Sequence, residues 1–332
     1  MLLVSVDELA EDDLLGKGLY APDGRLMLKH GVRLNARLIE GIKRLGHSYV
    51  FVQMTDRRSQ AGSADWKRNM RTIAEDVLMR FLEAVRTNKP LPVRPLYDWA
   101  DYVSEALPEK AEISIRPDDL AKAREAIAAR GVNVGILSAA IAKSLGYREA
   151  AIRDVAIGSL LHDIGLAVPL ENKLALHHPA IGYDCLRKIP GFPQAALQIV
   201  LQHHERIDGR GFPQGLRGED VREASQICAL AGDIHEFLNE SLTDRLPHEG
   251  IEYAMSKIDT SYHYGVVRAF LDIYEPYPVG TRVTLTGHLQ GTVIENNRAH
   301  AARPVIRLQA SGDRFDLMQH PAFLIERVCG GA

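Results

Sequence analysis

The sequence has few of the features that mark exported, nucleic-acid-binding or membrane proteins. Its 332 residues include only three cysteines, which are far apart and form no CxxC pair, so we expect reduced, mostly structural thiols. The formal net charge is −3, so no strongly basic field is present to bind nucleic acid non-specifically. The chain begins without a basic leader, and no stretch reaches the roughly 18 apolar residues that span a bilayer. These absences predict a cytoplasmic protein with neither nucleic acid nor membrane as a partner.

The remaining composition is that of a folded protein with more than one unit. Hydrophobic residues make up 46% and charged residues 25% of the chain. Residues 1–55 are predicted to form a small α/β domain, because the turn sequence Ala21-Pro22-Asp23-Gly24 lies between two apolar segments and predicts a hairpin. Helical spacing from Leu34 to Ile42, a stop at Gly46 and a short strand at Tyr49–Val52 complete this prediction.

The rest of the chain is predicted to be mainly helical, so the fold class is mainly α. Residues 56–116 are predicted as a helical linker region, with helical spacing from Ile73 to Val85 that is broken by prolines at positions 90, 92 and 95. Residues 117–275 show dense helical spacing and are predicted to form a helical bundle. Short apolar runs within residues 276–332 predict a C-terminal β element and tail.

Several residues inside the helical region carry metal-ligand chemistry. His162 and Asp163 are adjacent, and they offer a neutral nitrogen and an anionic oxygen whose two atoms can bridge two cations. His203 and His204 form a second pair, and we expect the helix before them to end there, because adjacent helical residues diverge by about 100°. Asp233 is flanked by apolar residues, so its carboxylate is predicted to point into the core, where a metal would offset the cost of an unpaired charge. Together these residues predict a metal-assisted hydrolase.

Each feature taken alone has a more ordinary interpretation. A single histidine on an apolar helix face is usually a hydrogen-bonded core residue, and His177-His178 could be an exposed loop pair. The glycine-rich stretch from Gly209 to Gly218 could be a simple turn. Their joint order along the chain is what favours a metal site.

In that order, the residues resemble the HD-GYP family of metal-dependent phosphodiesterases from about Gly131 to Leu308. The matching stretches are Val132-Asn133-Val134, Leu160 to Gly165, His178-Pro179 with Gly182, His203 to Arg206, Asp208 to Pro213 with Gly215-Leu216, Asp233, and Tyr277 to Thr281. The resemblance implies an HD-type helical bundle that hydrolyses cyclic di-GMP at a two-metal centre. It also implies cyclic di-GMP, and with it other proteins of cyclic di-GMP signalling, as partners.

The family's site residues carry over onto matching positions of this chain. The implied metal ligands are His162, Asp163, His178, His203, His204 and Asp233, with Asp163 bridging two divalent transition-metal ions. Mixed imidazole and carboxylate ligands suit iron, manganese or zinc, so the metal's identity stays open. The implied substrate contacts are Asp208, Gly209, Gly211, Phe212 and Pro213. Asp163 is thus expected to be catalytic.

The sequence also departs from the family's pattern. Arg130 stands where the family has a metal-binding histidine, and a guanidinium cannot ligate a metal. Arg130 could instead contact a substrate phosphate and assist catalysis, or it could be an ordinary surface or salt-bridged arginine. Leu166 replaces an expected lysine and Phe212 an expected tyrosine. Three interpretations stay open: a slow cyclic di-GMP phosphodiesterase, a binding module without turnover, and a hydrolase of another phosphoester.

Overall fold

The structure is a computed structural model that describes residues 1–20, 25–53, 66–108, 113, 126–169, 175–239, 245–297 and 300–329. Three predicted parts of the chain lie outside these residues: the hairpin turn at 21–24, the first part of the helical linker region at 56–65 and the start of the bundle at 117–125. Ten α-helices lie within them: α1 (Ala36–Arg44), α2 (Trp66–Arg86), α3 (Val93–Ala106), α4 (Ala126–Ser144), α5 (Glu149–Leu160), α6 (His178–Leu186), α7 (Gln194–Gln202), α8 (Glu223–Asn239), α9 (Glu249–Ser256) and α10 (Tyr264–Ile273). The mainly α fold class, with a small α/β portion before the helices and a sheet after them, is confirmed.

The N-terminal portion pairs its strands around one helix. Strand β1 (Leu2–Ser5) runs antiparallel to β4 (Tyr49–Val52), and β2 (Leu19–Tyr20) pairs with β3 (Leu26–Leu28). Helix α1 begins after Asn35, whose side chain accepts a hydrogen bond from the Leu38 amide. It ends before Gly46, whose φ of +77° favours glycine. The helix and strand predicted from spacing in this region are therefore confirmed.

Helix α5 lies at the centre of the main helical core. It packs against α3, α4 and α7, and α8 packs against α4. Met70 of α2 and Trp99 of α3 are fully buried in the same hydrophobic cluster as the later helices. Helix α3 was not predicted, because its prolines were taken only as breaks; Pro95 in fact lies in the first turn, where proline is tolerated. The segment expected to be a linker thus contributes two helices to the core.

Among the described helices, α4 alone is long and apolar enough to cross a membrane, judged by length and hydropathy only. In the structure 78% of its most apolar window is buried against neighbouring helices. This helix brings Arg130 to the centre of the fold.

The C-terminal residues form a five-stranded antiparallel sheet in the order β8-β7-β6-β5-β9. The strands are β5 (Arg282–Leu285), β6 (Leu289–Glu295), β7 (Val305–Leu308), β8 (Arg314–Asp316) and β9 (Ile325–Cys329). Sequence spacing predicted the first three. The sheet has its own small core, which includes the fully buried Tyr277 and Val293.

Candidate metal centre

Three helix ends bring the predicted ligands together. His162 and Asp163 follow the end of α5, His178 begins α6, and His203 and His204 follow the end of α7. Asp163, His178, His203 and His204 offer ligand atoms that all lie within 4.8 Å of one another. Asp163, His178 and His203 are almost completely buried, with exposed fractions of 4%, 6% and 3%. Within the described ranges, this group is the one cluster of metal-ligating side chains.

The end of α7 allows two adjacent histidines to face the same carboxylate. The helix stops at Gln202 with His203 as its C-terminal cap, which confirms the helix end expected there. Because the backbone turns at this point, both imidazoles face Asp163 although adjacent helical residues would diverge. The glycine loop follows at once, and the Phe212 amide donates to the His204 carbonyl oxygen at 3.2 Å.

Gly165 allows the segment after Asp163 to pack directly on α6. A β-carbon at this position would lie 2.0 Å from the His178 carbonyl oxygen, a distance that no side chain tolerates. The close approach holds Asp163 near His178, whose Nε2 lies 3.1 Å from the Asp163 Oδ1 atom. The glycine of the HDIG sequence is therefore needed for packing at the site.

Backbone carbonyls orient two of the imidazole rings. The Nδ1 atom of His162 donates to the Ser159 carbonyl oxygen at 2.8 Å, and that of His203 donates to the Val200 carbonyl oxygen at 2.9 Å. A carbonyl oxygen only accepts, so Nδ1 carries a proton in both rings, and Nε2 is the ring nitrogen that remains for a metal. Both Nε2 atoms face Asp163, at 3.1 Å for His162 and 3.7 Å for His203. This is how metal-binding histidines are usually held.

The distances between donor atoms fit a transition-metal ion. The Nε2 atoms of His178 and His203 are 3.0 Å apart, and the His178 Nε2 is 3.1 Å from Asp163 Oδ1. Two ligand atoms that are each about 2.1 Å from one ion, at right angles to each other, are about 3.0 Å apart. The buried Nε2 atom of His162 lies 3.1 Å from Asp163 Oδ2, a similar separation. The donor set therefore fits a divalent metal.

The protonation states suit metal binding. Burial lowers the pKa of His203 to about 4 and that of His204 to about 2, with neighbouring imidazoles adding to the effect, so both rings are neutral at pH 7. Burial alone would raise the pKa of Asp163, but His162, His178 and His203 outweigh it and hold that pKa well below its usual value. A metal would meet the neutral imidazoles of His203 and His204 and an ionised carboxylate, so these three ligands would release little or no proton on binding it.

Asp233, the sixth predicted ligand, lies in α8 and is occupied by other partners. The Arg206 NH2 atom donates to its two carboxylate oxygens at 2.9 and 3.0 Å, and the Tyr262 hydroxyl donates to Oδ2 in a short hydrogen bond. Asp233 is outside the group within 4.8 Å. A metal was expected to compensate the charge of Asp233; in the structure Arg206 and Tyr262 do so.

Arg130 lies beside Asp163, as its place in the resemblance implied. Its Nε atom is 3.4 Å from Asp163 Oδ2, and its NH2 atom is 3.5 Å from Glu236 Oε2 on α8. The guanidinium is thus part of the candidate site and not a surface group. Leu166, where the family has a lysine, brings no charge here.

The predicted substrate loop is held firmly in place. The fully buried Glu205 carboxylate accepts hydrogen bonds from the amides of Gln214 and Leu216, at 2.6 and 3.0 Å. A β-carbon on Gly211 would lie 2.5 Å from the His204 carbonyl oxygen, so only glycine fits there. Gly209 adopts a φ of +80°, which also favours glycine.

The remaining loop residues differ in their surroundings. Asp208 and Pro213 are exposed, and Asp208 Oδ1 accepts from the Arg210 amide at 2.9 Å. The Phe212 ring stacks on His204, with centroids 4.4 Å apart and a tilt of 16°. The substrate contacts proposed for these residues stay predictions. The Phe212 ring packs on the candidate ligand His204, and this contact restricts the orientation of the imidazole.

Replacing Phe212 by alanine should weaken metal binding about two- to tenfold, because an aromatic pair of this kind contributes about 0.5–1.5 kcal/mol. Phe212→Tyr keeps the ring and should bind metal as the wild type does. Competition titration with a chromophoric chelator measures both affinities. Equal affinity of wild type and Phe212→Ala would show that the stack does not position a ligand.

His235, on α8, is a site neighbour that sequence reasoning missed. It is 6% exposed, its Nε2 has no hydrogen-bond partner, and burial together with the charge of Arg130 lowers its pKa to about 4. Its place two residues after the predicted ligand Asp233, in the same apolar helix, was the signal that the sequence offered.

His235 should make the metal-free protein less stable in acid. The unfolded chain binds a proton at His235 near the ordinary pKa of 6.5, whereas the folded chain does so only near 4. The free energy of unfolding should therefore fall between pH 6.5 and 4. His235→Phe removes this titrating group. As the pH falls from 6.5 to 4, the free energy of unfolding of the variant should therefore decrease less than that of the wild type. Urea unfolding at several pH values, each with both proteins, measures it; a difference that is constant with pH would contradict the assignment.

The sequence comparisons agree with this architecture. Residues 111–260 match the family model described as HD domain. A cyclic di-GMP phosphodiesterase of Pseudomonas aeruginosa is 28% identical over 192 residues, covering 53% of this chain and 46% of the relative. A cyclic di-GMP phosphodiesterase of Thermotoga maritima is 29% identical, covering 42% of each chain. A 3'3'-cGAMP-specific phosphodiesterase of Vibrio cholerae is 32% identical, covering 33% of this chain and 27% of the relative.

In each of these alignments the chain spans less than half of the relative's length. The residues matched by the family model include those that carry the ligand chemistry. The resemblance stated from the motifs is confirmed at the level of the family.

Proposed function

We propose that this protein, which contains an HD domain of the HD-GYP group, is a metal-dependent phosphodiesterase that opens a cyclic dinucleotide, with cyclic di-GMP as the first candidate substrate. One observation carries the proposal: a buried carboxylate and three imidazoles converge within 4.8 Å. The substrate class is suggested by the relatives' names, which specify cyclic di-GMP and 3'3'-cGAMP.

Asp163, His178, His203 and His204 would hold at least one divalent transition-metal ion, iron, manganese or zinc, where the resemblance implies two ions that share Asp163. In the two-ion arrangement His162 would join through its Nε2 atom, which lies 3.1 Å from Asp163 Oδ2. A bound ion of this kind lowers the pKa of a water so that hydroxide forms near neutral pH, and it neutralises charge on phosphoryl oxygens.

The chain's own groups prepare the rest of the reaction. The carbonyl oxygens of Ser159 and Val200 hold two imidazoles with their lone pairs toward the centre. Arg130, with 26% of its side chain exposed, can donate to a phosphate oxygen of the substrate. Gly209 and Gly211 lie in the loop next to the cluster, and because they have no side chain a substrate can approach their backbone closely.

A second candidate function is binding of a cyclic dinucleotide without turnover. Two ion pairs favour this function. Arg130 lies against Asp163 and Arg206 lies against Asp233, so each of the two acids in the predicted ligand set is already paired with an arginine. A third is hydrolysis of another phosphoester, which Leu166 in place of the family's lysine leaves open.

Incubation of manganese- or iron-reconstituted protein with cyclic di-GMP or 3'3'-cGAMP, followed by chromatography, separates these functions. The proposal expects ring opening to a linear dinucleotide that a chelator abolishes. Calorimetric binding without any product would support the second function. Turnover of a simple phosphodiester assayed in parallel, with both cyclic dinucleotides unchanged, would support the third. Absence of both binding and turnover with the two cyclic dinucleotides would contradict the proposal.

A further inference from the structure

The two oxygens of Asp163 face different surroundings. Oδ1 faces imidazoles, with His178 Nε2 at 3.1 Å and His203 Nε2 at 3.7 Å. Oδ2 faces His162 Nε2 at 3.1 Å and Arg130 Nε at 3.4 Å. A metal on the Oδ1 side would meet imidazole rings and the carboxylate, with no arginine beside it. On the Oδ2 side a fixed positive charge is already present.

The guanidinium of Arg130 is held in that position from two helices. It extends from α4, and its NH2 atom approaches Glu236 of α8 at 3.5 Å. The same NH2 atom lies 3.7 Å from the place that a β-carbon on Gly232 would occupy, so the helix surface there is open enough to admit it. The Nε atom is buried without a hydrogen-bond partner. Because a guanidinium keeps its proton, this charge is permanent.

The other acid that a second metal would need is also paired with an arginine. Both carboxylate oxygens of Asp233 accept from Arg206, which in addition donates to the His203 and Glu205 carbonyl oxygens at 3.3 and 2.9 Å. Tyr262, which is fully buried, donates to the same carboxylate.

We infer that Arg130 takes the place of a second metal ion, so that the site holds one ion on the Oδ1 side of Asp163 and a fixed guanidinium on the Oδ2 side. This inference rests on the proposed function, since it requires the first ion to bind. Arg130 then supplies the second positive charge that faces the phosphate, and its planar fork matches phosphate oxygens. The family's lost histidine ligand is replaced by a charge and not by another ligand.

Metal stoichiometry of the full chain tests this inference independently of catalysis. Apo-protein is reconstituted with excess Mn²⁺, freed of unbound metal and measured by elemental analysis, with electron paramagnetic resonance to distinguish isolated from exchange-coupled Mn²⁺ pairs. The wild type should hold about one ion per chain with an isolated-ion spectrum, whereas a two-metal site would hold about two. Arg130→Lys keeps the charge and should also hold about one.

Arg130→His removes the permanent charge and adds a ligand, so its content should rise to about two with a coupled-pair spectrum. Arg130→Gln removes the charge without adding a ligand; it should show a weak second binding event in Mn²⁺ titration that wild type and Arg130→Lys lack. About two coupled ions in the wild type would overturn the inference, as would a single ion in the His and Gln variants at every Mn²⁺ concentration. Less than about one-tenth of an ion in the wild type would instead contradict the proposed function.

Discussion

Asp163→Asn should lower metal affinity by more than about 100-fold and reduce phosphodiester hydrolysis to background. Loss of a group that merely orients a ligand costs about 10–100-fold, and Asp163 is itself the carboxylate on which the three imidazoles converge. The substitution keeps the size of the side chain but removes the negative charge, whose pKa the surrounding histidines hold well below its usual value. The remaining imidazoles would have to hold a cation without a counter-charge.

Asp154→Asn is the matched control for this change. Asp154 lies on α5, nine residues before Asp163. Its carboxylate forms an ion pair with Arg153 at 3.9 Å and is not one of the clustered ligands. Its substitution should leave metal content and hydrolysis unchanged. Elemental analysis after reconstitution measures both proteins, with circular dichroism to verify the fold. If Asp163→Asn kept its metal, the carboxylate would not be a ligand.

His178→Ala should lower metal affinity by at least about tenfold, whereas His177→Ala should change it by less than about twofold. The two residues are adjacent and of the same type, but they differ in position. His178 is 6% exposed and its Nε2 lies 3.0 Å from that of His203, while His177 is exposed just before α6 begins. Chelator competition and hydrolysis rates should therefore separate neighbouring histidines. Equal effects of the two substitutions would mean that His178 acts only through the fold.

The residues of the candidate site were predictable because ligand chemistry leaves local signatures. The His162-Asp163 and His203-His204 pairs, and the helix end between Gln202 and the glycine loop, could be read from spacing and residue type. The partners of these residues could not. That Asp233 is paired with Arg206 and Tyr262 depends on how α8 packs against the end of α7 and the start of α10, which is a tertiary property.

The errors in the fold have similar causes. Helix α3 was missed because Pro95 was taken as a break, although proline is tolerated in a first turn. Helix α6 was not predicted, since it begins with His178-Pro179 and contains Gly182, which lower local helix propensity. Strand β8 has charged residues at two of its three positions, and β9 contains the adjacent charged pair Glu326-Arg327, so neither shows the apolar run or alternation by which β5, β6 and β7 were predicted. In each case packing outweighed local preference.

Anomalous diffraction from crystals of manganese- or iron-reconstituted protein tests the central claim most directly. The claim is that the buried carboxylate and imidazoles at the ends of α5 and α7 and the start of α6 form a metal site. The predicted result is an anomalous peak at the metal's absorption edge within about 2.0–2.3 Å of Asp163 and of the Nε2 atoms of His178 and His203. A map without a peak at this group after reconstitution, or with peaks only elsewhere on the protein, would contradict the account.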